Sequence, residues 1–186
     1  MNPKLTSAIS ALILLLLMTP AAAEGTAFAD LWRQGLKSVQ STAATELIGR
    51  VVGVADGDTI TVLDADKRQH RIRFLGIDAP ERGQPFGTRA KQRLSDLVHG
   101  KSVRTRCTGQ DRFDRRLCTV YVDDVDINLA MVTAGLAWHN KPYERSQPPR
   151  ERLAYAAAQQ AAQSDKTGLW VEANPTPPWE FRRASR

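Results

Sequence analysis

The sequence predicts an α+β protein, mainly β: a five-stranded barrel carrying three helices. Three observations lead there. Short runs rich in Val, Ile and Thr recur between Glu46 and Val122, with turn residues separating them. One amphipathic helical pattern interrupts them after the third strand, and two more follow the fifth. Five short strands with a helix after the third is the order of an OB-type barrel, whose loops are well suited to nucleic acid.

The elements follow in chain order. "ELIGRVVGV" (46–54) reads as a strand, Asp56-Gly57 as a turn and "TITVL" (59–63) as the returning strand. "DADK" turns into "QHRIRFLGI" (69–77). "TRAKQRLSDLV" (88–98) sets Ala90, Leu94, Leu97 and Val98 on one helical face, with Gly100 as the stop. "KSVRTRC" and "LCTVYV" are two more strands around a polar loop, 108–116. "INLAMVTAGLA" (127–137) is a second helix and Arg150–Ser164 a third. The tail "NPTPPWEFRR" is proline-rich and is expected to hold no regular helix.

Ahead of the barrel, Lys4, an apolar run from Ala8 to Met18 and Ala21-Ala22-Ala23 have the order of a secretory signal cleaved after Ala23. That run is about half the roughly 20 residues that span a bilayer. An uncleaved anchor is the alternative. Residues 24–45 form a lead-in segment, with Phe28, Leu31, Trp32, Leu36 and Val39 at helical spacing, followed by a domain over 46–180 and a basic tail, 181–186. The chain carries a net charge of +6, and loss of Lys4 with the signal leaves +5. A basic surface favours polyanionic partners, though weakly on its own. Export permits disulfides, and Cys107 and Cys118 are the only cysteines. If their strands form a hairpin, the two face each other at about 5–6 Å between Cα atoms. Two buried thiols are the alternative.

The acids Asp56, Asp58, Asp78 and Glu81 carry the chemistry. Asp58 starts one strand, and Asp78 and Glu81 lie just past the end of another. Carboxylates that converge repel unless a cation joins them. Hard oxygen donors without cysteine or clustered histidine point to Ca²⁺ or Mg²⁺ rather than zinc. The plain alternative is that Asp56-Gly57 is only a turn and Asp58 its cap. Arg73 and Arg115 add guanidinium forks, which suit the equatorial oxygens of a phosphoryl transition state.

In this order, "DGDT" (56–59), "RFLGIDAPE" (73–81), "DRFDRRL" (111–117), "NLAMVTAGLAW" (128–138) and "GLW…PPW" (168–179) resemble the thermonuclease, or staphylococcal-nuclease-like, family. The resemblance implies an OB-fold barrel that uses Ca²⁺ to cut the P–O5′ bond of DNA and RNA, leaving 3′-phosphates. By motif position it implies that Asp58, Asp78 and the main-chain carbonyl of Ala79 ligate the ion. It implies that Glu81 holds the attacking water as general base or orienter. Arg73 would pair the scissile phosphate and its leaving oxygen, and Arg115 would stabilise the transition state from the opposite loop. A monomer without a membrane span after signal cleavage is expected.

Three features depart from the family pattern: Phe113 and Asp114 stand where it has tyrosine then glycine before the second arginine, and the stretch after the second helix reads "AWHNKPY" (137–143). Phe113 keeps a ring without its hydroxyl, and Asp114 brings a charge expected to pair with Arg115. Phe113 and Tyr143 are candidate substrate contacts, while Trp138 is expected in the core. His70, His99 and His139 lack ligand spacing; a histidine-metal site at His139-Asn140 is the alternative. A non-catalytic nucleic-acid-binding module and a phosphodiesterase of small nucleotides are the competing functions.

Overall fold

The computed structural model describes residues 44–185. The expected signal, 1–23, and the lead-in up to residue 43 lie outside the described residues, as does the side chain of Tyr143. The strands are β1 (Thr45–Val54), β2 (Thr59–Leu63), β3 (Gln69–Phe74), β4 (Ile77–Asp78), β5 (Ser102–Gln110), β6 (Arg116–Val122), β7 (Val125–Asp126) and β8 (Trp138–His139). The helices are α1 (Gly87–Val98), α2 (Ile127–Thr133), α3 (Pro149–Ser164) and α4 (Pro178–Ala184), with 3₁₀ turns at Lys141–Ser146 and Gly168–Val171.

The alternation seen in the sequence becomes a closed barrel. β1 pairs antiparallel with β2 and β5, β2 with β3, and β5 with β6. A parallel pairing of β3 with β6, Arg73 opposite Leu117 and Phe74 opposite Cys118, closes the five-stranded ring. Val51, Ile60, Val62, Ile72, Phe74 and Val120 fill its interior, and α1 covers one end with Ala90, Leu94 and Val98. Buried Asn128 stitches α2 to this frame. Its amide donates to the carbonyls of Leu75 and Cys118 and accepts from the Val120 N–H. That bonding fixes the β3–β4 connection on which Asp78 sits.

Two expectations are corrected. α2 ends at Thr133 rather than running through Ala137, because the chain turns at Gly135 and leads into β8. The proline-rich tail does form a helix, α4. Pro177 is its N-cap and Pro178 its first residue, where a missing N–H costs nothing. The prolines start this helix rather than break it, so four helices stand among the described residues where three were expected.

Cys107 and Cys118 are register partners on β5 and β6 and form a disulfide, with Cα atoms 4.0 Å apart. Closing so short a loop contributes at most about 2–3 kcal/mol by chain entropy, less because the hairpin already restrains it. Trypsin cleavage after Arg112, Arg115 and Arg116 should leave the two cysteine peptides travelling as one mass until reductant splits them. Peptides that separate without reductant would discard the bond.

Candidate active site

The "DGDT" turn aims an aspartate. Asp58 donates its N–H to Asp56 Oδ1 at 3.1 Å, a turn closed by the side chain two residues back. Gly57 is required by contact: a Cβ there would lie 2.7 Å from the Cβ atoms of both Ala79 and Ala90. The turn therefore presses against α1 and the end of β4. Asp58 is buried, and its Oδ2 accepts the Ala79 N–H at 2.7 Å while Oδ1 accepts Thr59 Oγ1 at 3.1 Å.

Arg73, near the end of β3, ion-pairs with Asp58 and places Nη2 2.7 Å from Asp78 Oδ1. Asp78 is almost wholly buried, held by β4 pairing with β8 opposite Trp138. Glu81 follows on a loop fixed by two neighbours. Its N–H donates to Gln84 Oε1 at 3.0 Å, and Gly87 lets α1 approach so closely that a Cβ would meet the Glu81 carbonyl at 2.1 Å.

One cluster member was absent from the sequence reading. Arg182 of α4 donates to Asp78 through Nη2 (2.7 Å to Oδ2) and Nη1 (3.1 Å to Oδ1), and to Glu81 Oε1 at 2.5 Å. Three carboxylates thus meet two guanidiniums. Burial pulls the Arg73 pKa below its ordinary value against the opposing pull of Asp78 and Asp56, while its hydrogen bonds with Asp78 raise that of Arg182. Both remain cations.

Arg115 immediately precedes β6, whose Arg116 and Leu117 pair with Ile72 and Arg73 of β3. A β-bulge between Cys107 and Gly109 skews the β5–β6 loop that carries it. Its partner is Asp111 and not, as expected, Asp114: Nε donates to Asp111 Oδ2 at 2.8 Å and the backbone N–H to Oδ1 at 3.1 Å. Burial raises the Asp111 carboxyl, but the bonds from Arg115 and Phe113 outweigh it and hold the group below the usual carboxylate range. Phe113 is exposed, with the Arg112 and Arg115 guanidiniums 4.8 and 5.4 Å from its ring centre.

Asp114 occupies the left-handed region at φ 59°, where glycine is at ease. Asp114→Gly should leave kcat/KM unchanged or higher. Relief of strain and added freedom of the unfolded chain should offset within about 1 kcal/mol. A large fall in kcat/KM would give Asp114 a positive role.

The histidines stand apart from this cluster. His70 bonds Asp64 at 2.6 Å across the β2–β3 hairpin, and His99 caps α1. His139 is buried against Tyr155, with Nε2 3.2 Å from Gln147 Oε1, and burial lowers its pKa from the ordinary value. Trp138 packs edge-on to Trp170 and Trp179 in the core.

The donor chemistry of Asp58, Asp78 and Glu81 suits a hard cation. Each guanidinium touches two of the three acids, so positive charge already draws them together. As arranged, their oxygens serve N–H donors and, at Asp58 Oδ1, the Thr59 hydroxyl. Among the described residues, no group of three or more His, Cys, Asp or Glu side chains is set for an ion.

Comparison with known proteins matches residues 71–172 to the family model described as staphylococcal nuclease homologue. The chain belongs to the staphylococcal nuclease family of phosphodiester hydrolases. Among its relatives, a Haemophilus influenzae protein named an uncharacterized endonuclease is 43% identical, over 74% of this chain and 74% of its own. A second protein so named, from Escherichia coli O157:H7, is 42% identical over 74% of this chain and 86% of its own. A Shigella flexneri protein named micrococcal nuclease is 37% identical over 80% and 87%. Within this family frame, Asp58, Arg73, Asp78 and Glu81 share one cluster, while Arg115 contacts Asp111 and the Phe113 ring. Arg182 and Gln84 were missed. A repeated Arg after "PPWEF" was the only trace of the first, and Gln84 left none.

Proposed function

We propose that this member of the family is an exported nuclease that uses Ca²⁺ to hydrolyse P–O5′ bonds of DNA and RNA, leaving 3′-phosphate ends. One observation carries the proposal: Arg73 bridges Asp58 and Asp78 while Glu81 joins the same cluster from the adjoining loop. Asp58 and Asp78, with the Ala79 carbonyl, would hold the ion, which supplies positive charge to the phosphate when bound. Arg73 offers its fork to the scissile phosphate and its leaving oxygen. Glu81, the most exposed of the three acids, would take a proton from water or orient it. Arg115, steadied by Asp111, adds charge at the equatorial oxygens. Phe113 offers an exposed ring on which a base can stack, and Tyr143 is the second candidate contact. Export is supported by the N-terminal apolar run and by the disulfide, which suits an oxidising compartment. Among the described residues no helix is long and apolar enough to cross a membrane.

The test is hydrolysis of single-stranded DNA and RNA by the purified protein, with Ca²⁺, with Mg²⁺ and with excess chelator, reading product ends by mass. Cleavage with Ca²⁺ that chelator abolishes, giving 3′-phosphates, is expected. Full activity in chelator would overturn the ion, and tight binding without cleavage would make the chain a non-catalytic binding module.

A further inference from the structure

Helix α4 delivers a cation to Asp78, one of the carboxylates assigned above to the ion, and to Glu81. Three contacts seat it. Gln84 accepts the Glu81 N–H at 3.0 Å and donates to the Thr176 carbonyl at 2.6 Å, which straps the segment before α4 to the Glu81 loop. Trp179, in the first turn of α4, meets Trp138, the register partner of Asp78, edge-on at 6.4 Å. Arg182 follows three residues after Trp179 and so lies on the same side of the helix. Its fork takes both oxygens of Asp78 and one of Glu81.

Arg73 and Arg182 differ in how firmly they are built in. The Arg73 side chain is 13% exposed in the barrel wall, whereas that of Arg182 is 41% exposed on a seven-residue helix that contributes no strand to the barrel. A guanidinium and a divalent ion compete for the same carboxylate lone pairs. Of the two, Arg182 can leave without opening the barrel.

We propose that Arg182 is a built-in competitor of the divalent ion: it neutralises Asp78 and Glu81 in the ion-free protein and is expelled, with α4, when the ion binds. Glu81 is then released from its guanidinium only in the loaded enzyme, so an ion-free molecule holds its base masked. The inference rests on the reading of Asp58 and Asp78 as ion ligands. Coupling is reciprocal, so the ion must loosen α4 by as much as α4 weakens the ion. If Arg182 is seated nine-tenths of the time, the apparent Kd is weakened roughly tenfold.

The experiment is calorimetric titration of the full chain with Ca²⁺ in the wild type, Arg182→Met and Gln84→Ala, with amide hydrogen exchange over residues 178–184. Methionine keeps much of the side-chain length without the charge, and Gln84→Ala frees the strap without touching a carboxylate. Arg182→Met should bind Ca²⁺ about tenfold more tightly, and Gln84→Ala should move the same way by less. Ca²⁺ should speed exchange in α4 of the wild type. Equal Kd values in all three proteins, or slower exchange with Ca²⁺, would overturn the competition while leaving the ion site standing. Loss of turnover in Arg182→Met at unchanged Kd would make Arg182 a catalytic residue instead. Absence of Ca²⁺ binding in all three would remove the ion reading and this proposal with it.

Discussion

Glu81→Gln is expected to lower kcat by about 10²-fold or more while leaving oligonucleotide affinity nearly unchanged. The amide matches the carboxylate in shape but cannot accept a proton from water. Its backbone setting survives, because the bond to Gln84 and the close approach of Gly87 involve the main chain of residue 81. What changes is local: Arg182 loses one of its two carboxylate partners and keeps Asp78. Single-turnover cleavage measures the chemical step, and fluorescence anisotropy of a labelled oligonucleotide measures binding. Unchanged turnover would remove Glu81 from the chemistry.

The parts legible in the sequence are those written by neighbouring residues. Ile60 and Val62 alternate with Thr61 because one face of β2 is buried, and the helical spacing of Ala90, Leu94 and Val98 records the face of α1 laid on the barrel. Asp58 was legible because its turn is made by Asp56 and Gly57 beside it. What stayed hidden depends on distant pairing. Arg182 meets Asp78 across 104 residues of sequence, and no local pattern encodes that contact. The proline rule also misled, since Pro178 is unfavourable inside a helix and favourable at its first position. The partner of Arg115 was misassigned for a related reason. Adjacency suggested Asp114, but the left-handed backbone at that residue belongs to a turn in which Asp111, four positions back, takes the guanidinium.

Arg73→Lys is expected to lower kcat/KM by about 10²–10³-fold, the loss typical of one preorganised donor to a developing charge. The substitution keeps the charge, so the cost must come from geometry. The Arg73 guanidinium spans two acids at once, Asp58 through Nη1 and Asp78 through Nη2, and is held flat in a wall that leaves its side chain 13% exposed. An ammonium is a point charge with a shorter reach; it can favour one acid but cannot hold both and still offer two parallel N–H bonds to a phosphate. Folding should survive at lower stability. Asp78 keeps Arg182, and Asp58 keeps the Ala79 N–H and Thr59, so each buried carboxylate retains a partner. A loss of about 1–3 kcal/mol is expected from the imperfectly met group. The two effects separate by temperature: kcat/KM measured well below Tm reports the fork, and Tm by calorimetry reports the folding cost. Fully retained activity with a lowered Tm would assign Arg73 to holding Asp58 and Asp78 together and would pass the phosphate to Arg115.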